Sequence, residues 1–572
     1  MAEREYPVLS RRAIEGLIAD GRNIFIVDQY VFKADPWLQY HPGGDKAILH
    51  MVGRDATSEV TALHSREARE QMNRYRIGRI EGRWTNFVPP IQGGKFRPSS
   101  PCDNHDRLSG GDGIEKEASE DNLTPTESSS SASSREPSPI FDSSGTHLRQ
   151  RRLADDVALR GSPSAPSVSS VGPDEDGMSY LDTITKEKTT LDLEKYPPLD
   201  FATQDSIVAK YRDLDKRIRA EGLYECNYGA YAVEVTRYSI LFALFAVFLH
   251  WGWYVLSAVC LGAFWHQLVF TAHDAGHMGI THDFHTDTVI GIIIADFLGG
   301  LSLGWWKRNH NVHHIVTNAP EHDPDIEHMP FMAVSHRFFQ SIRSTYYDHV
   351  MEYDAVAKVM LRIQPYTYYL LLMFGRLNLY RLSWDFLVMG RGPRKGPAWW
   401  HRWLEVAGQT FFWTWYFYGV VYCSIPNNWD RFIFFLISHV VPMPVHAQIC
   451  LSHFAMSTSD LGPHESFPQK MLRTTMDIDC PQWLDFFHGG LQFQVIHHLY
   501  PRIPRHNLRR TQKLVQEFCA EVGIPYALYG FVDGNRQVVG TLAEVSRQAA
   551  MLAKCQKVIS EGDNPLHGHR HH

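Results

Sequence analysis

Residues 305–314 read "WWKRNHNVHH", and the imidazoles at 310, 313 and 314 decide how the rest of the chain is read. Residues at i, i+3 and i+4 share one face of a helix, with Cβ atoms about 5–6 Å apart. His310, His313 and His314 therefore aim at one point. "HDAGH" sets His273 and His277 four apart, and "QVIHH" places Gln494 ahead of His497 and His498. Neutral imidazole suits iron, copper, nickel and zinc alike. These seven histidines exceed the four ligands that close a tetrahedral zinc site, so two metals are the economical reading. Histidine beside apolar sequence is expensive and normally functional.

Outward from the clusters, four apolar runs are candidate membrane spans. Two lie in 238–272, folded back at "HWGW". The others are the stretch around "TFFWTWYFYGVVYC", 410–423, and "FIFFLISHVVPMPVHAQIC", 432–450. A helix needs about 20 residues to cross the hydrocarbon. A fifth run, 288–304, contains Asp296 and the pair Gly299 and Gly300, and it separates the first two histidine clusters. One crossing there would put those clusters on opposite faces, so an interfacial or buried helix is expected. "YTYYLLLMF", 366–374, is too short to span. Basic residues gather in 305–405, among them Lys307, Arg308, Arg362 and Arg394, and the short turns carry almost none. The positive-inside bias then puts this loop and both termini in the cytosol. The opening "MAEREYPVLS" has no apolar core, so no signal peptide is expected.

A length of 572 residues allows two or three domains. Residues 95–185 are rich in Ser, Pro, Asp and Glu, with too few apolar side chains to offset ordering entropy, so a disordered linker is expected. Such a tether would let the N-terminal unit visit both an outside partner and the membrane unit. Residues 536–572, ending "HGHRHH", are expected to form a C-terminal tail. The net charge of −7 with mixed signs offers no basic field, which argues against nucleic acid as a partner. Eight scattered cysteines without a C-x-x-C pair argue against a disulfide framework or a thiolate metal site.

The N-terminal unit contains "WLQYHPGGDKAILHMVGRDATSEVTALHS", 37–65. Two glycines after His41 permit a tight turn and close approach of a flat ligand. His64 lies in a second helical stretch. Two histidines on neighbouring helices can clamp a haem iron from both sides, an arrangement suited to electron transfer. His50 stands outside this pattern and is expected to face solvent.

"HPGG", "GRDAT" and the later "HS", over residues 5–82, resemble the cytochrome b5 haem domain, with Leu63 where many members carry Gly. Residues 200–535 resemble the membrane-bound di-iron fatty-acyl desaturases. Gln494 at the head of the third cluster, together with the fused haem domain, looks like the front-end subgroup. "FTAHDAGHMGITH", "WWKRNHNVHHIVTN" and "DPDIEHMP" are similar to its fungal, sphingolipid-acting members.

The resemblance implies an α+β cytochrome b5-like domain, a disordered linker, and an all-α membrane desaturase domain. That domain would have about four transmembrane helices and a cytosolic, histidine-rich di-iron cap. It implies haem b held by His41 and His64. It implies two non-haem irons held by His273, His277, His310, His313, His314, His497 and His498, with His453 of "LSHFAM" as the eighth ligand. Gln494 would lie in or beside the coordination shell. Asp274, Asp323 and Asp325 are candidates for orienting the imidazoles.

An unactivated methylene C–H is beyond side-chain acids and bases, so such chemistry belongs to cofactors. The implied activity is an oxidoreductase of the endoplasmic reticulum membrane. It would use O2 and electrons from cytochrome b5 reductase to place a trans double bond between carbons 8 and 9 of a ceramide long-chain base. Other readings are a front-end acyl-lipid desaturase acting at Δ5 or Δ6, a di-iron lipid hydroxylase, or a non-catalytic haem-containing membrane carrier or sterol-binding protein.

Overall fold

The computed structural model describes residues 5–87 and 173–562. In the first part, Asp28 and Gln29 take positive φ, 48° and 64°, and close a two-residue turn between the strands Ile24–Val27 and Tyr30–Lys33. Such turns match the twist of the strands they join. Arg76–Arg79 completes an antiparallel sheet in the order of the chain. Short helices surround it: Arg11–Ala19, Asp45–Leu49, Thr57–Leu63 and Arg66–Met72. Ser10 and Ser65 cap two of them by accepting from the N–H three residues on, each at 3.2 Å. The α+β expectation for residues 5–82 matches this architecture.

Three helices of the second part are long and apolar enough to cross a membrane: Tyr228–His250, Tyr254–Gly276 and Asn428–Phe454. The first two fold back at Trp251 to Trp253, as expected, although the first begins at Tyr228 rather than 238. Ile240, Phe242, Leu244 and Val247 on the first helix are exposed on the protein, as a lipid-facing surface would be. The second is the central helix. At Gly262 an added Cβ would stand 2.6 Å from Val441 Cβ and 2.9 Å from the Ser438 carbonyl, so the missing side chain lets these two helices touch.

The stretch expected as the third span, 410–423, lies in a helical run from His401 to Ser424 whose second half is π-helical, and it is not among those three. Beside three Phe and two Val it carries two Trp and three Tyr, whose polar tips favour interfaces over the hydrocarbon centre.

The fifth run is not one straight helix. Helix Phe284–Ile292 continues as a π turn, Ile293–Leu298, then breaks, and Leu303–Val316 leaves at 116°. Gly300 makes the break: its φ is +71°, and an added Cβ would stand 2.3 Å from the Phe412 ring. Two buried carboxylates start the new helix. Asp296 accepts from the Leu303 N–H at 3.2 Å, and Glu405 accepts from Gly304 N–H at 3.0 Å and from the Ser302 hydroxyl. These oxygens satisfy N–H groups at the helix start that have no partner within the helix. The bend leaves the second histidine cluster beside the first, as the sequence argument required. Counting the bent pair as one span would raise the number of candidate spans to four.

Two expected boundaries are corrected. The Ser/Pro-rich linker lies outside the described residues up to 172, but from Pro173 to Lys195 the chain is helical, with Leu181 and Ile184 buried. The region read as a tail from 536 is a helix, Phe531–Gly562. Val538, Leu542, Val545, Ala549 and Leu552 bury alternately four and three residues apart, in one core with Leu361 and Tyr368. The final "HGHRHH" lies outside the described residues.

Candidate functional site

The 116° break brings the three histidine clusters together. His273 and His277 end the central helix, and His310, His313 and His314 lie on Leu303–Val316. His453 ends Met443–Phe454, and His497 and His498 lie on the short helix Gln494–Leu499. Their ligand nitrogens sort into two sets. His273, His277, His310 and His497 form one, and His313, His453 and His498 the other, each with all its ligand atoms within 4.8 Å of one another. His314 stands between the sets. Its Nε2 is 3.1 Å from Nε2 of both His310 and His497, and its ring centroid is 4.3 Å from that of His498.

The second and third clusters thus contribute to both sets, and the first to one: His310 and His313, one turn apart, serve different sets, as do His497 and His498. Buried imidazole nitrogens without a protein partner include His277 Nε2, His314 Nδ1, His453 Nδ1 and His498 Nε2. A buried polar atom left unpaired carries a substantial free-energy penalty, so an ion that takes these lone pairs fits the arrangement. Burial and the neighbouring imidazoles hold His497 and His498 well below the ordinary histidine range, in the neutral form that binds metal.

The surroundings fix the rings. Asp323, fully buried, accepts from His313 Nδ1 at 2.9 Å, which leaves Nε2 facing the second set. It also accepts from the Asn318 N–H at 2.7 Å. Asp325 is bonded by Asn309 and lies 3.7 Å from Nδ1 of both His310 and His313. Asp274 is engaged elsewhere: Tyr231 donates to it at 2.5 Å, Arg505 also donates, and His273 Nδ1 is 3.8 Å away. Of the three aspartates, Asp323 orients an imidazole directly. Gln494 is buried at the first position of the third-cluster helix, one turn before His497 and His498.

Three further residues escaped the sequence reading. Trp306 stacks on His310 with centroids 4.5 Å apart and covers His273 and His277 edge-on. An added Cβ on Gly276 would enter its ring, so that glycine makes the contact possible. The buried Asp477 accepts from Val495 N–H at 2.9 Å, from Gln512 at 2.9 Å and from Tyr526, and so anchors the third-cluster helix. Arg505 ties Asp274 to Glu234 and Thr271. The tryptophan pair of "WWKRN" before the second cluster was a visible hint of Trp306; Asp477 and Arg505 left no signal in the sequence.

In the N-terminal unit, the His41 and His64 rings face each other with centroids 5.9 Å apart. His41 Nδ1 donates to the Gly44 carbonyl at 2.7 Å and His64 Nδ1 to the Val60 carbonyl at 3.3 Å, which leaves both Nε2 atoms free. Burial lowers the pKa of His41 and pushes that of His64 down to about 3. Two neutral imidazoles with free Nε2 atoms fit an iron between them. His50 corrects an expectation. It is fully buried, with Nδ1 2.7 Å from the Lys46 carbonyl and Nε2 2.8 Å from Thr345 Oγ1. The residue that covers it comes from a loop nearly 300 positions away.

Residues 246–530 match the family model for fatty acid desaturases, and residues 13–81 that for the cytochrome b5-like heme/steroid binding domain. A Delta 8-(E)-sphingolipid desaturase of Emericella nidulans is 60% identical over 97% of this chain and 97% of its own length. Proteins of the same description from Kluyveromyces lactis and Komagataella phaffii are each 47% identical. The first covers 99% of this chain and 97% of its own length, the second 96% and 95%.

Proposed function

The chain belongs to the fatty acid desaturase family with a fused cytochrome b5-like domain, and from that premise we propose that it is a sphingolipid 8-desaturase. Its substrate is the long-chain base of a ceramide, and its product carries a trans double bond between carbons 8 and 9. The full-length likeness to relatives of that description supports the substrate. The observation that carries the chemistry is the meeting of seven histidines in two sets, bridged by an eighth, His314; all but the half-buried His273 and His310 are buried.

In this reading His273, His277, His310 and His497 hold one iron, and His313, His453 and His498 hold a second. His314 lies against both, and Gln494 sits beside the shell. His41 and His64 hold haem b. An iron pair held there would supply the O2-dependent chemistry that takes one hydrogen from each of two adjacent methylenes, with two electrons and two protons consumed and two waters released. The protein's part is positional. Asp323 presents His313 Nε2 to the second set, Trp306 covers the first set with an apolar ring, and Asp477 holds the third-cluster helix in register. Electrons enter through the haem unit from cytochrome b5 reductase. The enzyme sits in the endoplasmic reticulum membrane with both termini in the cytosol, the orientation favoured by Lys307, Arg308 and the basic loop that follows.

Expression in a yeast whose long-chain bases lack a double bond at carbon 8, followed by lipid mass analysis, tests this. Loss of two hydrogens at carbons 8 and 9, abolished by His313→Ala, is the expected result. Gain of an oxygen, or a double bond in acyl chains alone, would replace the proposal.

A further inference from the structure

The haem-binding unit does not hang beside the membrane unit; it packs against the helix that carries the second histidine cluster. We propose that it delivers electrons from this one fixed seat on Leu303–Val316, latched by the neighbouring residues Asp45 and Lys46. The electron-delivery half of this inference rests on the desaturase reading above; the seat itself does not.

The helix Leu303–Val316 has two faces. At about 100° per residue, His310, His313 and His314 centre on one side, and Val312, Ile315 and Val316 centre on the opposite side. The histidine side faces the metal sets. The valine and isoleucine side, at 0%, 5% and 1% exposure, shares one apolar cluster with Ala47, Ile48 and Met51 of the haem unit. A metal-binding helix whose back carries Val312, Ile315 and Val316, with Arg308 one turn before them, needs a cover, and here the haem unit supplies it.

The charges specify how the cover sits. Arg308 donates to Asp45 from Nε at 2.9 Å and Nη2 at 2.7 Å. Lys46 donates to Asp348 at 2.8 Å and to the Thr345 carbonyl at 2.8 Å, with its side chain 8% exposed. Adjacent residues of opposite sign thus each meet their complement. A slipped or rotated dock would bring like charges together, which makes the pattern a device for register. Thr345 Oγ1 adds a third point between His50 and His322, at 2.8 and 2.9 Å.

The glycines of "HPGG" acquire a second use. A Cβ on Gly43 would stand 2.8 Å from Asn311 Nδ2, and one on Gly44, where φ is +88°, would stand 2.7 Å from Arg308 Cγ. Only a bare backbone lets the helix come this close. The Gly43 carbonyl accepts from Asn311 Nδ2 at 3.4 Å. The haem-ligand loop therefore touches the iron-ligand helix directly: Gly43 is two residues from His41, and Asn311 is next to His310. With haem and iron bound, each delivery would oxidise the haem from ferrous to ferric and reduce one ion of the pair from ferric to ferrous, and an external reductase would then refill the haem. The tether need not carry the haem unit back and forth.

The test uses the full-length, haem-loaded protein in lipid nanodiscs, with Arg308→Glu, Asp45→Arg and the swap Asp45→Arg/Arg308→Asp. Backbone hydrogen exchange is read over 45–51 and 312–316, and haem reoxidation by air is followed after one-electron reduction. Each single change should raise exchange over both segments, and slow haem reoxidation, by about tenfold with the haem spectrum unchanged. The swap should restore both to within about threefold of the parent. Single variants that exchange like the parent, or a swap that restores nothing, would overturn the seat. Raised exchange with unchanged reoxidation would overturn the seat as the delivery position. If Arg308→Glu does not accumulate, Lys46→Glu and its swap with Asp348→Lys decide the question in the same way. A parent protein whose haem is not reoxidised through the histidine centre would refute the desaturase reading and leave the exchange result standing.

Discussion

His313 donates from Nδ1 to Asp323 at 2.9 Å, and both side chains are closed off from solvent. The carboxylate fixes the tautomer, so the nitrogen left for the second set is Nε2, and it prevents the ring from rotating away. The same carboxylate accepts from the N–H groups of Asn318 and Asp325, so backbone and ligand are oriented together.

Asp323→Ala should therefore lower product formation by about 10- to 100-fold, the usual effect of removing a partner that orients a metal ligand. Non-haem iron per mole of protein should fall while haem content stays that of the parent. Full iron loading in the variant would show that Asp323 does not position His313.

Gly300 is the second test, because the fold-back depends on it. A β-carbon there meets the buried Phe412 ring at 2.3 Å, and φ is +71°. Gly300→Ala should destabilise the protein by at least about 1–3 kcal/mol and lower the thermal midpoint accordingly. Gly540, in the C-terminal helix, has nothing within 4 Å of the same added atom and no positive φ. Gly540→Ala should be neutral or stabilising by about 0.5–1 kcal/mol. Equal losses from both would mean that the break is not a point of strain.

The histidine clusters could be read from short spacings on helices, the fold-back at 288–304 from one topological argument, and the haem pair from its likeness to the cytochrome b5 motif. How the histidines divide between sets was not readable, since His310 and His313 share a helix face and part only when His497 and His498 arrive from another segment. His50 was misread for the same reason: its burial depends on Thr345. The Trp and Tyr content of 410–423 passed for a span because those rings are large and apolar but end in polar atoms. In the C-terminal region the four-three spacing from Val538 to Leu552 was present in the sequence and went unused, because a single apolar stripe shows no partner until Ala355–Met373 lies against it.

That stripe gives the third test. Leu542 is fully buried, and its carbonyl accepts from Gln364 at 2.9 Å. Leu542→Ala should cost about 2–5 kcal/mol. A chain ending at 535 should fail to accumulate as folded protein, because Leu361 and Tyr368 would lose their cover. Normal folding of that truncated chain would return the region to the status of a tail.

Asp477 gives a test in pH. Burial raises its carboxyl from 3.8 to about 7, against the opposing bonds from Tyr526, Val495 and Gln512. In the unfolded chain the group ionises near its ordinary value, so between about pH 4 and pH 7 the unfolded state loses its proton first. Over that window the folded state binds more protons than the unfolded state, and stability falls as pH rises. Above about pH 7 both states are ionised and the contribution is constant. Asp477→Asn keeps an oxygen that accepts from the Val495 N–H but cannot ionise. The variant should therefore show a flatter dependence of thermal midpoint on pH between 4 and 7, with the third-cluster helix still anchored and iron content retained. A slope as steep as the parent's would assign the titration to another group, and loss of iron at every pH would mean that the charge, rather than the hydrogen bond, holds the helix.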